Sequence, residues 1–94
     1  MKHLESFGAM KHYRDLILLV QHDRYLWQKV AHILNKLRRD LRPWAFVDRT
    51  NQIKSAREYL LQALNDTKMP GEVKCLLQRG IYTEFGINTF PEQD

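Results

Sequence analysis

Apolar residues recur along this chain mostly at helical spacing. From Ala9 to Val20 they stand at positions 10, 13, 16, 17 and 20, and Leu18 and Leu19 widen the stripe, which predicts a first helix buried on most sides. Gln21-His22-Asp23 interrupts the pattern, and Asp23 can cap a new helix, so a break or kink is expected there. From Arg24 to Leu41 the residues Leu26, Val30, Ile33, Leu37 and Leu41 recur at steps of four and three, flanked by Trp27 and Leu34. At about 100° per residue they fill one arc of a second helix. Arg24, Gln28, Lys29, His32, Asn35, Lys36, Arg38, Arg39 and Arg42 fill the rest of it. Pro43 disfavours the helical conformation at Arg42, so this helix ends at or just before that residue.

Trp44 to Arg49 reads as an aromatic connection, after which Asp48 or Thr50 can cap a third helix. Its stripe is Ile53, Ala56, Leu60, Ala63 and Leu64, within residues 50–66. A turn at Thr67–Gly71 leads into a short fourth helix over 70–80, with Val73, Leu76 and Leu77 on its apolar side and Gly80 closing it. Residues 81–94 carry Ile81, Tyr82, Phe85, Ile87 and Phe90 between glycines and a proline, a tail too broken for a helix that straps over the bundle or onto a partner. The expected fold class is all-α. One helical domain spans 1–94, a three-helix antiparallel bundle with helices 1 and 2 in 10–42, a short fourth helix and an irregular C-terminal tail.

Composition bounds this picture. Ninety-four residues bury only about two-thirds of their unfolded surface, so a partner or ligand could add to a thin core. With 44% hydrophobic and 28% charged residues the chain is of ordinary globular type. Leu16 to Val20 is too short an apolar run to span a membrane, and the segment Met1–Glu5 has the look of neither a secretory signal nor a transit peptide. Charge is uneven: residues 1–50 hold 10 Lys/Arg against 5 Asp/Glu, and residues 51–94 hold 5 against 6. Such polarity suits an acidic partner, whether nucleic acid, anionic membrane or acidic protein, and equally a solvated basic helix face.

Candidate chemistry is sparse. Cys75 is the only cysteine, so no internal disulfide forms, and His3, His12, His22 and His32 never fall at the spacing that puts two ligands on one helical face, so no metal is expected. No phosphate loop, activated nucleophile or carboxylate pair is apparent, and His12 with Asp15 and His22 with Asp23 read as surface pairs, so the chain is expected not to be an enzyme. Lys29, Lys36, Arg38, Arg39 and Arg42 could contact phosphates while Trp44 stacks on a base, which keeps a small basic nucleic-acid-binding domain as the alternative function. No turn-plus-recognition-helix unit accompanies them.

Tyr13-Arg14 followed by Leu16 on an early helix resembles the signature of the LYR-motif proteins, small helical factors of mitochondria. In that family a second helix ends in an apolar residue followed by a basic one; here Leu41-Arg42 does so, Leu41 lying 27 residues after Arg14. A polar connection and a third helix opening on Ile follow, as Asp48, Thr50 and Ile53 do here. The similarity covers about residues 10–66, and Gly80-Ile81-Tyr82-Thr83 is faintly similar to the tail of members that assist respiratory complex III. His12 and Leu18 depart from the pattern, standing where Leu and Arg are usual. The resemblance implies binding of acyl carrier protein, whose acidic helix docks on basic residues and whose acyl-4′-phosphopantetheine, contributed by the partner, enters the helical core; no cofactor of the chain's own is implied. Arg14 and Arg42 match the motif's basic positions, and Lys36, Arg38 and Arg39 join them from the charge pattern. Leu16, Val20, Val30, Leu34, Leu37, Ile53, Leu60 and Leu64 become candidates to line the acyl path, or simply core. Trp44–Val47 and the aromatic tail are candidates to touch a client. The implied role is a subunit or assembly factor of a mitochondrial, respiratory complex, in the matrix or on the matrix side of the inner membrane.

Overall fold

The first helix, α1, spans Arg14–Val20 and ends where the sequence pattern breaks. Asp23 is extended, with φ −108° and ψ 106°, and its side chain accepts from the Leu26 amide at 3.1 Å, capping α2, which spans Arg24–Asp40. A cap of this kind is worth about 1 kcal/mol, and it separates α1 from α2. The Leu41 amide closes α2 on the Leu37 carbonyl at 2.9 Å. Helix α3 spans Arg49–Leu64, beginning one residue before Thr50, which lies inside it. Asp66 shapes the turn that follows, its side chain accepting from the Lys68 amide at 2.9 Å. Pro70, extended at ψ 151°, then starts α4, which spans Gly71–Phe85. This is a computed structural model, and it describes residues 12–41 and 49–90, without the Arg49 side chain. Among those residues the protein is all-helical, with these four helices and no strand. Arg42, Trp44 to Val47 and Asp48 lie outside the described residues.

Two expectations are corrected. The fourth helix is not short, nor is Gly80 its end: it runs 15 residues and takes in 81–85, leaving a tail from Gly86 onward. Gly80 is buried inside α4 because the Tyr13 ring lies against it, and the left-handed C-cap is Gly86, at φ 74°, whose amide donates to the Tyr82 carbonyl at 2.8 Å. Nor is α1 buried on most sides. Leu18 and Leu19 are 61% and 43% exposed, because among the described residues α1 packs chiefly on α2 and α4, through the face that carries Leu16, Ile17 and Val20.

Helix directions follow from the side-chain pairs. Gln52 donates to the Asp40 carbonyl at 3.2 Å, Lys36 sits over the Tyr59 ring at 5.0 Å, and Lys29 pairs with Asp66 at 3.5 Å. Contacts thus move backward along α2 as they advance along α3. One cluster holds the core: Tyr13 just before α1, Leu16 and Val20 from α1, Val30, Ile33, Leu34 and Leu37 from α2, Leu60 from α3, and Leu77 and Ile81 from α4, all at 1% exposure or less. Past Gly86 the chain turns back beside α4. Gln78 donates to the carbonyl and hydroxyl of Thr89 at 3.2 and 3.1 Å, while Arg57 of α3 donates to the Asn88 carbonyl at 2.9 Å. Ile87 is thereby buried with the core.

Candidate docking site

Tyr13 precedes the first turn of α1, its carbonyl accepting from the Ile17 amide at 2.8 Å, and its side chain turns fully inward. Its hydroxyl donates to Glu84 Oε1 at 2.5 Å. Arg38 reaches the same carboxylate, donating from Nε to Oε2 at 3.0 Å and from Nη2 to Oε1 at 3.2 Å, a two-pronged pairing. Glu84 therefore ties the start of α1, the last turn of α2 and the end of α4 together. Burial, followed by the hydrogen bond to anionic Glu84, pushes the Tyr13 phenol far above its ordinary value of 10.0.

The sign of that shift sets an alkaline limit on stability. A phenol that holds its proton more tightly when folded contributes fully below the unfolded value and loses the contribution as pH rises above it. Denaturant unfolding should accordingly show stability falling above pH about 10, by up to roughly 1.4 kcal/mol per pH unit. In Tyr13→Phe that component of the slope should vanish; an unchanged alkaline slope would assign it to other groups.

The basic candidates divide by environment. Arg14 is exposed beside buried Tyr13, and Arg39 is 65% exposed, with Nε 3.7 Å from Asp40. Each is the chain neighbour of a group that binds Glu84, so both lie at the same end of the helices. Lys36 is half-buried, paired with Asp40 at 2.8 Å and lying over Tyr59. Arg38 is turned inward onto Glu84, its side chain only 23% exposed. Arg42 lies outside the described residues, and Leu41, its predecessor, is buried.

The candidate acyl-lining residues come together, as parts of the packed core. Leu16, Val20, Val30, Leu34, Leu37 and Leu60 are at 1% exposure or less, Leu64 is buried at 7%, and Ile53 is half-buried against them. An open cleft of about 550 Å³ lies between α2 and α3, bordered by Lys36, Asp40, Gln52, Ser55, Ala56 and Tyr59. Gln52 Oε1 is buried without a hydrogen-bond partner. At the opposite end of α2, Tyr25 donates to Asp66 at 2.5 Å with Lys29 alongside, and that hydroxyl is the main cause holding the Asp66 carboxyl below its usual range.

Glu84 escaped the sequence reading, and Gly80 entered it as a helix end and not as the seat of the Tyr13 ring. Glu84 lies 46 residues from Arg38 and 71 from Tyr13, so no local spacing signals it. Among the described residues no three His, Cys, Asp or Glu side chains gather as a metal site would need, and no helix is long and apolar enough to cross a membrane. Compared with protein-family models, curated proteins and solved structures, the chain matches none.

Proposed function

We propose that this chain is a non-enzymatic, LYR-like helical adaptor that docks an acyl carrier protein on its basic end and serves as a subunit or assembly factor of a mitochondrial respiratory complex, on the matrix side. The observation that supports this reading is the Glu84 junction. By joining Tyr13 to Arg38 it brings the tyrosine-arginine pair of α1 and the basic end of α2 to one place, with Arg14 and Arg39 facing solvent. In this reading α1, α2 and α3 form an antiparallel three-helix bundle, and α4 closes it. An acidic helix meeting Arg14 and Arg39, joined by Lys36 and Arg42, gains encounter rate and orientation more than affinity, since exposed ion pairs are worth about 0–1 kcal/mol each. Affinity comes from the acyl chain, at about 0.8 kcal/mol per buried methylene.

Co-expression with an acyl carrier protein, followed by intact-mass measurement of whatever co-purifies, tests the reading. A complex carrying acylated phosphopantetheine is the expected result. The double reversal Arg14→Glu with Arg39→Glu should slow association and weaken the complex, by setting like charges against the acidic helix, and leave the helical circular dichroism unchanged, because both side chains are exposed. Undiminished co-purification of the double variant would remove the docking end. If no carrier binds and the protein is instead retained on DNA or RNA with a steep salt dependence, the basic nucleic-acid-binding function takes its place.

A further inference from the structure

Helix α1 turns two adjacent leucines outward. Leu18 and Leu19 stay exposed while Leu16, Ile17 and Val20 of the same helix are buried. The other large apolar side chains left exposed among the described residues, Tyr25, Leu61 and Tyr82, stand singly along the chain, and Tyr25 is tied to Asp66. Charged and polar groups frame the two leucines. Arg14 and Asp15 come one turn before them and His22 and Asp23 one turn after, all of them exposed. Gln21 keeps helical angles, φ −61° and ψ −26°, so this face runs on past Val20 toward His22. Among the described residues the side chains of Arg14, Asp15 and His22 take part in no hydrogen bond or ion pair, and Asp23 uses only Oδ1 in capping α2.

We propose that this face pairs with the same face of a second copy of the chain, α1 lying antiparallel on α1 about a two-fold axis between Leu18 and Leu19. Reversing the chain about that point sets Leu18 level with Leu19, Asp15 level with His22, and Arg14 level with Asp23. Apolar side chains then meet apolar ones and each carboxylate meets a donor, so the face is complementary to itself, as an isologous contact requires. Asp15 stands nearly opposite the buried stripe of α1, which puts its contact with the second copy's His22 close to the centre. An imidazole donates a ring N–H to a carboxylate whether it is neutral or charged. A parallel pair would instead set Asp15 against Asp15, and like charges oppose it. Other occupants fit this face less well. Arg14 is offset by Asp15 and Asp23, so the positive excess that would draw a nucleic acid, an anionic membrane or an acidic helix is missing here. Stable interfaces bury about 1,200–2,000 Å², more than a helix of 7 residues offers, so the pair forms only at high concentration. Pairing requires no carrier; where a carrier docks at Arg14, it and the second copy exclude each other there.

Sedimentation equilibrium of the full chain tests the pairing, with a monomer–dimer equilibrium expected at a dissociation constant of roughly 0.1–1 mM. On dilution through that range the methyl resonances of Leu18 and Leu19 should shift while those of Leu61 stay in place. Leu18→Glu sets a carboxylate in the apolar centre from both copies, and should leave the protein monomeric throughout with its helical circular dichroism unchanged, because the side chain is exposed. Asp15→Lys faces His22 with a cation at two symmetric contacts and should weaken pairing about tenfold. Adding His22→Glu should restore it. Positions 15 and 22 stand two turns apart within one copy, so the rescue reads the antiparallel register between copies. A parent protein that stays monomeric at about 1 mM overturns the proposal, as does a dimer indifferent to Leu18→Glu or a double variant that pairs no better than Asp15→Lys.

Discussion

Replacing Glu84 by alanine should destabilise the protein by about 2–4 kcal/mol, since it strands two groups at once. The Arg38 guanidinium, with a side chain 23% exposed, loses both of its bonds to the carboxylate, and the buried Tyr13 hydroxyl loses its acceptor. Arg38 then keeps its charge in a half-buried position without a counterion, which costs more than the intact pair contributes. The pair Glu84→Leu with Arg38→Met removes both charges and should recover much of the loss, with Tyr13→Phe restoring more. Urea unfolding of the three variants measures this directly, and a single variant as stable as the parent would show that the junction holds nothing together. Loss of the junction should also release the start of α1 from the end of α2. Under the proposed function, carrier binding should weaken in Glu84→Ala even at temperatures where it stays folded, because Arg14 and Arg39 would no longer be held at a common end.

Gly80→Ala comes next in size, with an expected net cost of about 1–3 kcal/mol. Alanine favours a helix interior over glycine by about 1 kcal/mol, so on propensity alone the substitution would stabilise. Packing reverses the sign. A Cβ on Gly80 would overlap Cε1 and Cδ1 of the Tyr13 ring, the latter at 2.6 Å, and would stand 3.1 Å from the His12 carbonyl. The ring cannot swing aside freely, because its hydroxyl is fixed to Glu84. A fall in thermal midpoint of roughly 5–15 °C is the expected reading for a domain of this size. Gly71→Ala is the control: a Cβ there meets nothing within 4 Å, so the midpoint should hold or rise slightly. Combining Gly80→Ala with Tyr13→Leu should cost less than the sum of the two, since the smaller side chain vacates the disputed space. Strict additivity would place the strain elsewhere.

The two glycines illustrate what spacing can and cannot reveal. Gly80 and Gly86 both stand after a stretch of helical pattern, and either could end α4 by the local rule that favours glycine just past a helix. Only the Tyr13 ring beside Gly80 distinguishes them. Arg38 shows the same limit among the charges. On the helical wheel it belongs with Lys36 and Arg39 on a solvated arc, yet it turns inward because α4 brings a carboxylate to that side. Leu18 and Leu19 err in the other direction: apolar residues on both flanks of the α1 stripe imply burial, but α1 packs chiefly on α2 and α4, on the face opposite them, and both stay exposed.

What the sequence alone determined was local. The helical stripes of α2 and α3, the break at Asp23, the inward Tyr13 beside an outward Arg14 and the buried Leu41 at the end of α2 all depend on residues within about one turn of each other, where period and capping chemistry act. Tertiary structure decided the rest: the Glu84 junction across 46 and 71 residues, the interior position of Gly80, and the course of Ile87 back between α3 and α4. Such contacts depend on which helices become neighbours and in which direction they run. Helix neighbours are selected by the summed burial of whole faces, so the pairing of single residues across them leaves no mark in the spacing of either helix.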